Sequence, residues 1–276
     1  MNHQGRPPIL GSGVGLRVPH LRDFLTGVAQ VPVLEATTEN YLAIDGQPYR
    51  NLRAIAERIP VILHGVTLGL GGPDKPDDGL VRRIAQLADD INAPWVSDHC
   101  SWGRHRSHHL HDLLPIPYTD DILACMVGRL RRVQDRIGRP FAIENPSSYL
   151  TFVAGQMPEV EFLARLVEES ECWLLLDVNN IYVSACNHGF SVAEYMDAVP
   201  WRRVIEIHVA GHTVEADGFR LDTHDQEVCS SVWEIYREAQ RRSGGVTAIH
   251  ERDGRIPPLH ELMEVWDHAE PPAVTA

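Results

Sequence analysis

The chain has 276 residues, of which 43% are hydrophobic, and a formal net charge of −13 at pH 7. This length is usual for one α/β barrel, so we predict a single catalytic domain over residues 1–269 and a flexible C-terminal tail over residues 270–276. Lys75 is the only lysine among 25 basic residues. Because phosphate binding needs a basic face, the acidic charge argues against nucleic acid as a partner.

The cysteines and the lack of long apolar runs bear on the cell compartment. Because the five cysteines form no CxxC pair, we expect neither a disulfide framework nor a structural zinc site. The same cysteines favour a reducing compartment. No stretch has the length and apolar character of a signal peptide or a membrane span. We therefore expect a cytoplasmic protein that does not enter a membrane.

Eight short apolar runs, each ending in polar or small residues, predict strands. Their near-continuous apolar character is typical of strands that are buried on both faces. In chain order they cover residues 10–17, 31–40, 61–70, 95–102, 141–148, 173–180, 204–211 and 246–254.

Segments with helical spacing of apolar residues lie between these strands. The clearest cover residues 78–91, 119–137, 158–169 and 226–242. An α/β chain in which strand and helix alternate eight times is typical of a (β/α)8 TIM barrel. An open doubly wound sheet is the alternative, because it shows the same alternation.

The C-terminal ends of the predicted strands carry many side chains of metal-ligand type, and in a TIM barrel these ends face the active site. A carboxylate or imidazole that follows several apolar strand residues is poorly solvated unless something pairs with it. In chain order the candidates are His64 on the third strand, Asp98 and His99 on the fourth, Glu144 on the fifth, Asp177 and Asn180 on the sixth, His208 and His212 on the seventh, Asp222 and His224 in the segment after it, and His250 and Glu251 on the eighth.

Carboxylates gathered at one barrel mouth would repel one another unless cations neutralise them. The strand ends supply few basic residues, with Arg252 the one candidate, so metal ions are the better counter-charge. Histidine and carboxylate ligands without cysteine favour iron, manganese or zinc. Asp222 and His224 are two apart, so they point the same way in an extended segment. Asp177 and Asn180 are three apart, which requires the strand to end between them and lead into a loop.

The same motifs resemble those of the multinuclear non-haem iron-dependent oxidative enzymes, a family of xylose-isomerase-like TIM barrels. The match covers nearly the whole chain and comprises, in order, GVGLR, TENYL, LHG, SDH, ENPSSY, LDVNN, HVAGH and HERDG. Any one of these motifs is weak, whereas the run in this order is specific. The resemblance implies the xylose-isomerase-like form of the barrel.

The resemblance, together with the zinc pattern of endonuclease IV, a distant relative by fold, implies a ligand set. It gives a first metal to His64, His99 and Glu144, a second to Glu144, Asp177, His208 and Glu251, and a third to Asn180, Asp222 and His224. Asn180 replaces a histidine of the nuclease pattern, although the family's LDVNN motif carries this asparagine. Because a neutral amide is a weaker ligand than imidazole, we expect the third metal to be held least tightly.

The resemblance also implies cofactors and partners. It implies Fe2+/Fe3+, two or three ions per chain, and O2 as co-substrate. Members modify cysteine, and sometimes other residues, in ribosomally synthesised precursor peptides, which a separate partner protein with a peptide-recognition domain typically delivers. Asp98, His212 and Asn145 are candidates for catalytic proton handling or for hydrogen bonds that orient the ligands, and Glu39 and Asn40 face the same choice.

Three other functions fit part of the pattern. A zinc or manganese phosphoesterase of the endonuclease IV type would use two or three metals in the same mouth, but the acidic charge counts against DNA. A sugar isomerase would need a lysine near the metals, and Lys75 lies in a Gly/Pro/Asp-rich loop. A metal-storage protein would leave an open mouth unused. Oxidative modification of a peptide is therefore the leading hypothesis.

Overall fold

Eight parallel strands close into a barrel in the computed structural model, which describes residues 5–105, 108–152 and 157–269. The strands are Ser12–Gly15 (β1), Leu34–Thr37 (β2), Val61–Gly65 (β3), Val96–His99 (β4), Phe141–Glu144 (β5), Trp173–Asp177 (β6), Val204–Val209 (β7) and Thr247–His250 (β8). Strands that are consecutive in this list pair in the barrel, and β1 pairs with β8 to close it. The predicted TIM barrel is confirmed, and the open sheet is excluded. The predicted tail, residues 270–276, lies outside the described residues.

The helices form the outer layer of the barrel. Within the described ranges the α-helices are Leu21–Thr26 (α1), Gln47–Ala56 (α2), Asp78–Asp90 (α3), Asp120–Ile137 (α4), Glu159–Ser170 (α5), Val178–His188 (α6), Val192–Ala198 (α7), Ser230–Ser243 (α8) and Leu259–Glu264 (α9). Short 3-10 helices cover Val18–His20, Thr38–Tyr41, Trp201–Arg203 and Val265–His268.

Side-chain caps fix where two of these helices begin. Asp77 accepts hydrogen bonds from the backbone of Gly79 and Leu80 ahead of α3, and Thr119 accepts one from Ile122 in α4. Three of the four predicted helices agree with the structure to within one residue at each end. The fourth, predicted from residue 226, begins at Ser230 instead. The Gln226 carbonyl accepts a hydrogen bond from the Arg252 guanidinium, which holds this stretch as a loop.

Side chains alternate between the inside of the barrel and the helix layer, as a period of two requires. An apolar layer fills the inside and consists of Val33, Ile62, Trp95, Ala142, Leu175, Ile205 and Ile249. A second, larger apolar cluster joins the outer faces of the strands to the helices. Two residues beyond Ile62, Ala142, Leu175 and Ile249 the inner positions become polar. The polar side chains therefore form the layer above the apolar plug, at the C-terminal mouth.

Two antiparallel ribbons extend the loops after β4 and β7. They pair Trp102–His105 with His108–Leu114 and Thr213–Val214 with Arg220–Leu221. Across the described residues, no helix combines the length and the apolar character that a membrane crossing needs. The ribbons add walls to the mouth in which the polar layer lies.

Candidate metal centre

The ends of β3, β4 and β5 bring His64, His99 and Glu144 together. The two Nε2 atoms lie 3.2 and 3.1 Å from Glu144 Oε2, and all three side chains are buried. His64 Nδ1 is hydrogen-bonded to Ser97 Oγ at 2.8 Å, and His99 Nδ1 to the Gly65 carbonyl at 3.0 Å. With Nδ1 engaged, each ring presents Nε2 towards the carboxylate, as a metal-binding histidine does.

Glu144 also reaches a second cluster. Its Oε1 lies 3.6 Å from His208 Nδ1, and one donor atom from each of Glu144, Asp177 and His208 lies within 4.8 Å of the others. His208 Nδ1 is 3.2 Å from Glu251 Oε2. The Glu144 carboxylate thus lies between His64 and His99 at one oxygen and His208 at the other, which is the arrangement that a bridging ligand needs.

A third cluster surrounds His224. Its Nε2 lies 2.7 Å from Asp222 Oδ1 and 3.9 Å from Asp177 Oδ2, and its Nδ1 lies 3.2 Å from Glu251 Oε2. Asn180 is buried beside Asp177, and its amide nitrogen donates to a backbone carbonyl at 3.0 Å. The second and third clusters therefore share two carboxylates, Asp177 and Glu251.

Two backbone predictions for the third cluster are wrong. The segment predicted as a loop after β6 is the first turn of α6, and Asp177 caps it by accepting from the Asn180 backbone at 2.6 Å. The helical turn, and not a loop, therefore spans the three-residue separation. His224 has φ 48°, a left-handed conformation, so Asp222 and His224 are not in an extended segment. A local turn brings their side chains together.

Five buried ligand-type atoms in these clusters lack a hydrogen bond of good geometry among the described residues. They are Glu144 Oε2, Asp177 Oδ2, Asn180 Oδ1, His208 Nδ1 and His224 Nε2. Four of them have an oppositely charged group 2.7–3.9 Å away, and native proteins rarely leave buried polar atoms without hydrogen bonds. All five belong to the predicted ligand set. Oxygen and imidazole donors without thiolate fit iron, manganese or zinc, so the residues present fit a group of metal ions.

Burial and charge shift the pKa values of these acids in opposite directions. Burial raises the pKa of Asp177 well above its usual value. Burial also opposes ionisation of Glu144, but His99 and His64 outweigh it and lower the pKa of Glu144 to about 2. Burial disfavours charged His208, yet nearby carboxylates raise its pKa well above the usual value. Without metal, protonated histidines would balance the carboxylates, and metal ions would replace those protons.

Glu35 on β2 is a site residue that the sequence analysis missed. Its Oε2 lies 2.9 Å from His208 Nε2, and both side chains are buried. A carboxylate on Nε2 fixes the tautomer of the ring and leaves Nδ1 to face the ligands. Below it, Glu206 accepts a hydrogen bond from Trp95 Nε1 at 2.8 Å, and burial raises the pKa of Glu206 well above its usual value. In the sequence, Glu35 could have been recognised as a site residue because it is charged and lies within the apolar run 31–36.

We expect Glu35→Gln to weaken metal binding at the second cluster by about tenfold to a hundredfold, the usual effect of losing such a partner. The amide leaves the tautomer of His208 undetermined. The measurement is iron retained per chain in competition with a chelator. Glu206→Gln is the matched control and should retain its metal, because that acid is hydrogen-bonded to Trp95 and not to His208. Equal losses from both variants would instead indicate general damage to the barrel interior.

The basic residue that reaches the mouth is Arg17 and not Arg252, which corrects the prediction. Arg17 follows β1, and its Nη2 lies 3.3 Å from Glu251 Oε1 and contacts Asp253. The Arg252 side chain points away and donates to the backbone carbonyls of Gly254 and the loop before α8. Neighbouring residues on an extended chain face opposite sides, which explains the difference. Oε1 of Glu251 therefore contacts the Arg17 guanidinium, and Oε2 faces His208 and His224.

Asp98, a predicted catalytic residue, does not reach the mouth. It lies on the outer face of β4, where a Cβ on Gly65 would be 2.5 Å from its Oδ2. Burial and the neighbouring Glu39 raise the pKa of Asp98 to about 7. His250 also faces outwards and packs near the Trp266 ring. Both residues sit next to a ligand in sequence, so alternation turns them to the opposite side.

Asn145 contacts the predicted ligand Asp177, and His212 reaches the predicted ligand Asp222 through Asn179. The Asn145 amide donates to the Asp177 carbonyl at 3.0 Å and accepts from the Asp177 backbone at 2.9 Å. His212 Nδ1 is hydrogen-bonded to Asn179 Oδ1 at 2.8 Å, and the Asn179 amide donates to Asp222 Oδ1 at 2.7 Å. These contacts suit residues that position ligands, and proton handling by either residue stays a prediction.

Solved structures of low sequence identity have the same fold. Endonuclease IV from Thermus thermophilus is 16% identical, with a TM-score of 0.61, over 95% of this chain and all of that one (100%). D-Allulose 3-epimerase from Methylomonas sp. is 14% identical, with a TM-score of 0.62, over 97% of this chain and 95% of that one. At such identities the likeness shows the fold alone, which is the xylose-isomerase-like TIM barrel.

Sequence comparison identifies the family. A UPF0276 protein of Caulobacter vibrioides is 45% identical over 263 residues, which cover 95% of this chain and 94% of the relative. A UPF0276 protein of Anaeromyxobacter sp. is 43% identical over 256 residues, or 93% and 90% of the two chains. The family model described as RiPP precursor modification enzyme MbnB/TglH/ChrH matches residues 11–272. The chain therefore belongs to this family of multinuclear non-haem iron-dependent oxidative enzymes, which modify ribosomally synthesised precursor peptides.

Proposed function

We propose that the protein is an iron- and O2-dependent oxidative enzyme that modifies cysteine, or another residue, in a ribosomally synthesised precursor peptide. The observation that carries the proposal is the set of five buried oxygen and imidazole atoms around Glu144 that lack hydrogen bonds and face one another across the mouth. Family membership supports a peptide substrate, and imidazole with carboxylate suits an iron site that keeps an open position. A separate partner protein with a peptide-recognition domain would deliver the peptide in the cytoplasm.

The proposed ligands divide into three groups that share carboxylates. His64, His99 and Glu144 would hold the first ion, Glu144, Asp177, His208 and Glu251 the second, and Asn180, Asp222 and His224 the third. Bound iron would supply the capacity to activate O2 for oxidation of the peptide. The chain's own part is to fix the ligands through hydrogen bonds with Glu35 and Asn145, which accept, and with Arg17, which donates.

The mouth offers room for a peptide side chain beside the proposed ligands. Its cavity of about 270 Å³ is lined by most of the proposed ligands and by the apolar side chains of Val66, Leu113 and Pro146. These apolar side chains would exclude water from a bound thiol, whose sulfur would face the ligands. Asp98 stays outside this cavity, so we assign the positioning roles to Asn145 and His212.

A metal-dependent phosphoesterase is the alternative function, and the mouth suits it less well. Among the described residues that line the cavity none is arginine or lysine. Arg17, the nearest cation, already contacts Glu251 and Asp253. A phosphodiester would therefore find carboxylates without a cationic side chain, apart from the metals themselves.

Metal analysis of anaerobically purified protein tests the two functions against each other. The proposal expects two or more iron ions per chain, and the phosphoesterase expects zinc or manganese. A chain that holds only zinc and nicks abasic DNA would overturn the proposal. A matched sample purified in air should retain less ferrous iron without gaining zinc.

We expect iron titrated into the metal-free protein to fill two sites tightly and a third weakly. The third cluster contributes the neutral Asn180 and depends on carboxylates that it shares with the second, so it offers less negative charge to its ion. Asn180→Ala should remove this weak step and leave two tight ones. Calorimetry measures the steps, and three equally tight ions in the parent protein would contradict the expectation.

A further inference from the structure

A second cavity, of about 580 Å³, lies beside the mouth and outside the metal-ligand clusters. It is lined by the segment after β5, the loop before α4, the N-terminal end of α5, the C-terminal half of α6, and α7. Leu150, Phe152 and Phe190 line it and are 65%, 44% and 38% exposed. Met157 and Val160 add further apolar surface. Large apolar side chains that stay exposed around a cavity mark a binding site more often than a plain surface.

The two cavities share one wall. Pro146 and Ser147 line the mouth, and Ser148, the next residue, lines the second cavity. Ser148 is fixed from both sides, because its backbone nitrogen donates to Ser184 Oγ at 3.0 Å and His188 Nε2 is hydrogen-bonded to its carbonyl at 2.7 Å. An extended peptide advances about 3.3–3.6 Å per residue. A peptide residue a few positions from one in the mouth would therefore reach the second cavity.

The charges around the second cavity restrict what it can bind. Glu159 lines the cavity, and its carboxylate accepts hydrogen bonds from the hydroxyls of Tyr118 and Tyr195, each at 2.8 Å. Glu161 and Glu194 are exposed at the rim, and among the described lining residues none is arginine or lysine. An acidic side chain would be repelled, whereas a large uncharged apolar one would bury its surface without breaking the tyrosine hydrogen bonds.

We propose that this cavity is a specificity subsite for a large apolar side chain of the precursor peptide, such as leucine, a few residues from the residue in the mouth. The inference rests on the proposed function, because it takes the occupant of the mouth to be a peptide. The shared wall makes the two cavities neighbours, the cavity volume admits a large side chain, and the acidic rim excludes aspartate and glutamate.

A first experiment tests the cavity itself. In saturation-transfer NMR, N-acetyl-leucinamide should bind and the capped aspartate amide should not. Ala198→Trp fills the cavity from the exposed end of α7 and should abolish the leucine signal. Ala193→Trp, the matched control, makes the same change at an exposed position of α7 outside the lining. Absence of leucine binding, or binding that survives Ala198→Trp, would overturn the subsite.

A second pair of variants removes apolar surface instead of adding bulk. Leu150→Ala should weaken leucine binding, whereas Ile9→Ala should leave it unchanged. Ile9 precedes β1 at the opposite end of the barrel and is 60% exposed, which matches the 65% of Leu150. Equal effects of the two variants would count against the cavity. This pair keeps the test decisive if the tryptophan variant does not fold.

A second experiment tests the spacing. Gly/Ser peptides with one cysteine and a leucine placed one to six residues from it are bound to the metal-loaded protein. One spacing should gain about tenfold to a hundredfold in affinity over alanine, the effect of burying one leucine. Ala198→Trp should remove this gain, whereas Ala193→Trp should keep it.

The outcomes separate the subsite from the proposed function. Cysteine-dependent binding with no leucine gain at any spacing would overturn the subsite alone. Leucine binding with no iron or O2 dependence of turnover would overturn the proposed function alone. Self-association of the protein that Ala198→Trp abolishes would assign the cavity to a second copy of the chain and overturn the subsite.

Discussion

Glu144→Ala should lose more than one metal ion per chain and reduce turnover by about 10³-fold or more, as expected when groups that act as a unit lose their common member. Oε2 of this carboxylate lies within 3.2 Å of the Nε2 atoms of His64 and His99, and Oε1 lies 3.6 Å from His208 Nδ1. Its removal leaves histidines of two clusters without their shared anion. Elemental analysis after anaerobic reconstitution measures the loss, alongside turnover with the cognate peptide.

Asp222→Ala is the control for that experiment. Asp222 contacts His224 and belongs to the third cluster only, so this variant should lose at most one ion. Glu144→Gln keeps the shape and one neutral oxygen, and it should retain more metal than the alanine variant. Normal metal content in Glu144→Ala would refute the bridging role. Circular dichroism would verify that each variant remains folded.

Oxygen uptake should require both reduced iron and the cognate peptide, and a peptide with Cys→Ser should lower uptake to the rate of peptide-free enzyme. A thiolate is a soft, strongly donating ligand, whereas the described ligand-type side chains of the mouth are imidazole, carboxylate and amide. Serine remains protonated and donates little charge. Without the thiol, iron in the mouth should therefore react slowly with O2. An oxygen electrode and peptide mass spectrometry measure uptake and product together.

Two controls accompany the oxygen experiment. His64→Ala empties the first cluster and should suppress uptake with the cysteine peptide as well. Enzyme reconstituted with zinc should be inactive, because zinc has no redox chemistry. Full activity with zinc, or a mass change in the peptide under strictly anaerobic conditions without another oxidant, would exclude the proposed reaction.

The barrel and most of its ligand-type residues could be predicted because burial gives the strands of a parallel sheet a simple sequence pattern. Strands covered on both faces are apolar throughout, so a histidine or acid at the end of one stands out. His64 and Glu144 each lie two residues beyond an inward apolar residue, Ile62 and Ala142, and this period placed them in the mouth. The strand ends were harder to set, because the last predicted residues of each run belong to loops and helices.

The rest depended on contacts that no local pattern reports. Glu35 meets His208 across 173 residues of sequence, and nothing near Glu35 predicts that partner. Arg17 was missed for the same reason, because its partners lie beyond the last strand. Asp98 could have been placed correctly, since strict alternation from His99 turns it outwards. The left-handed backbone of His224 had no signal in the sequence, because residues other than glycine seldom adopt it and no glycine marks the turn.

The ion pair between Arg17 and Glu251 has a consequence for the order in which the protein assembles. The two residues lie 234 positions apart and meet only when the first and last strands pair. His64, His99 and Glu144 come from three consecutive strands, and closing a shorter loop costs less chain entropy. The first ion site can therefore form while the barrel is still open. An ion captured there during synthesis would guide the closure of the barrel, and Glu251 would complete the centre last.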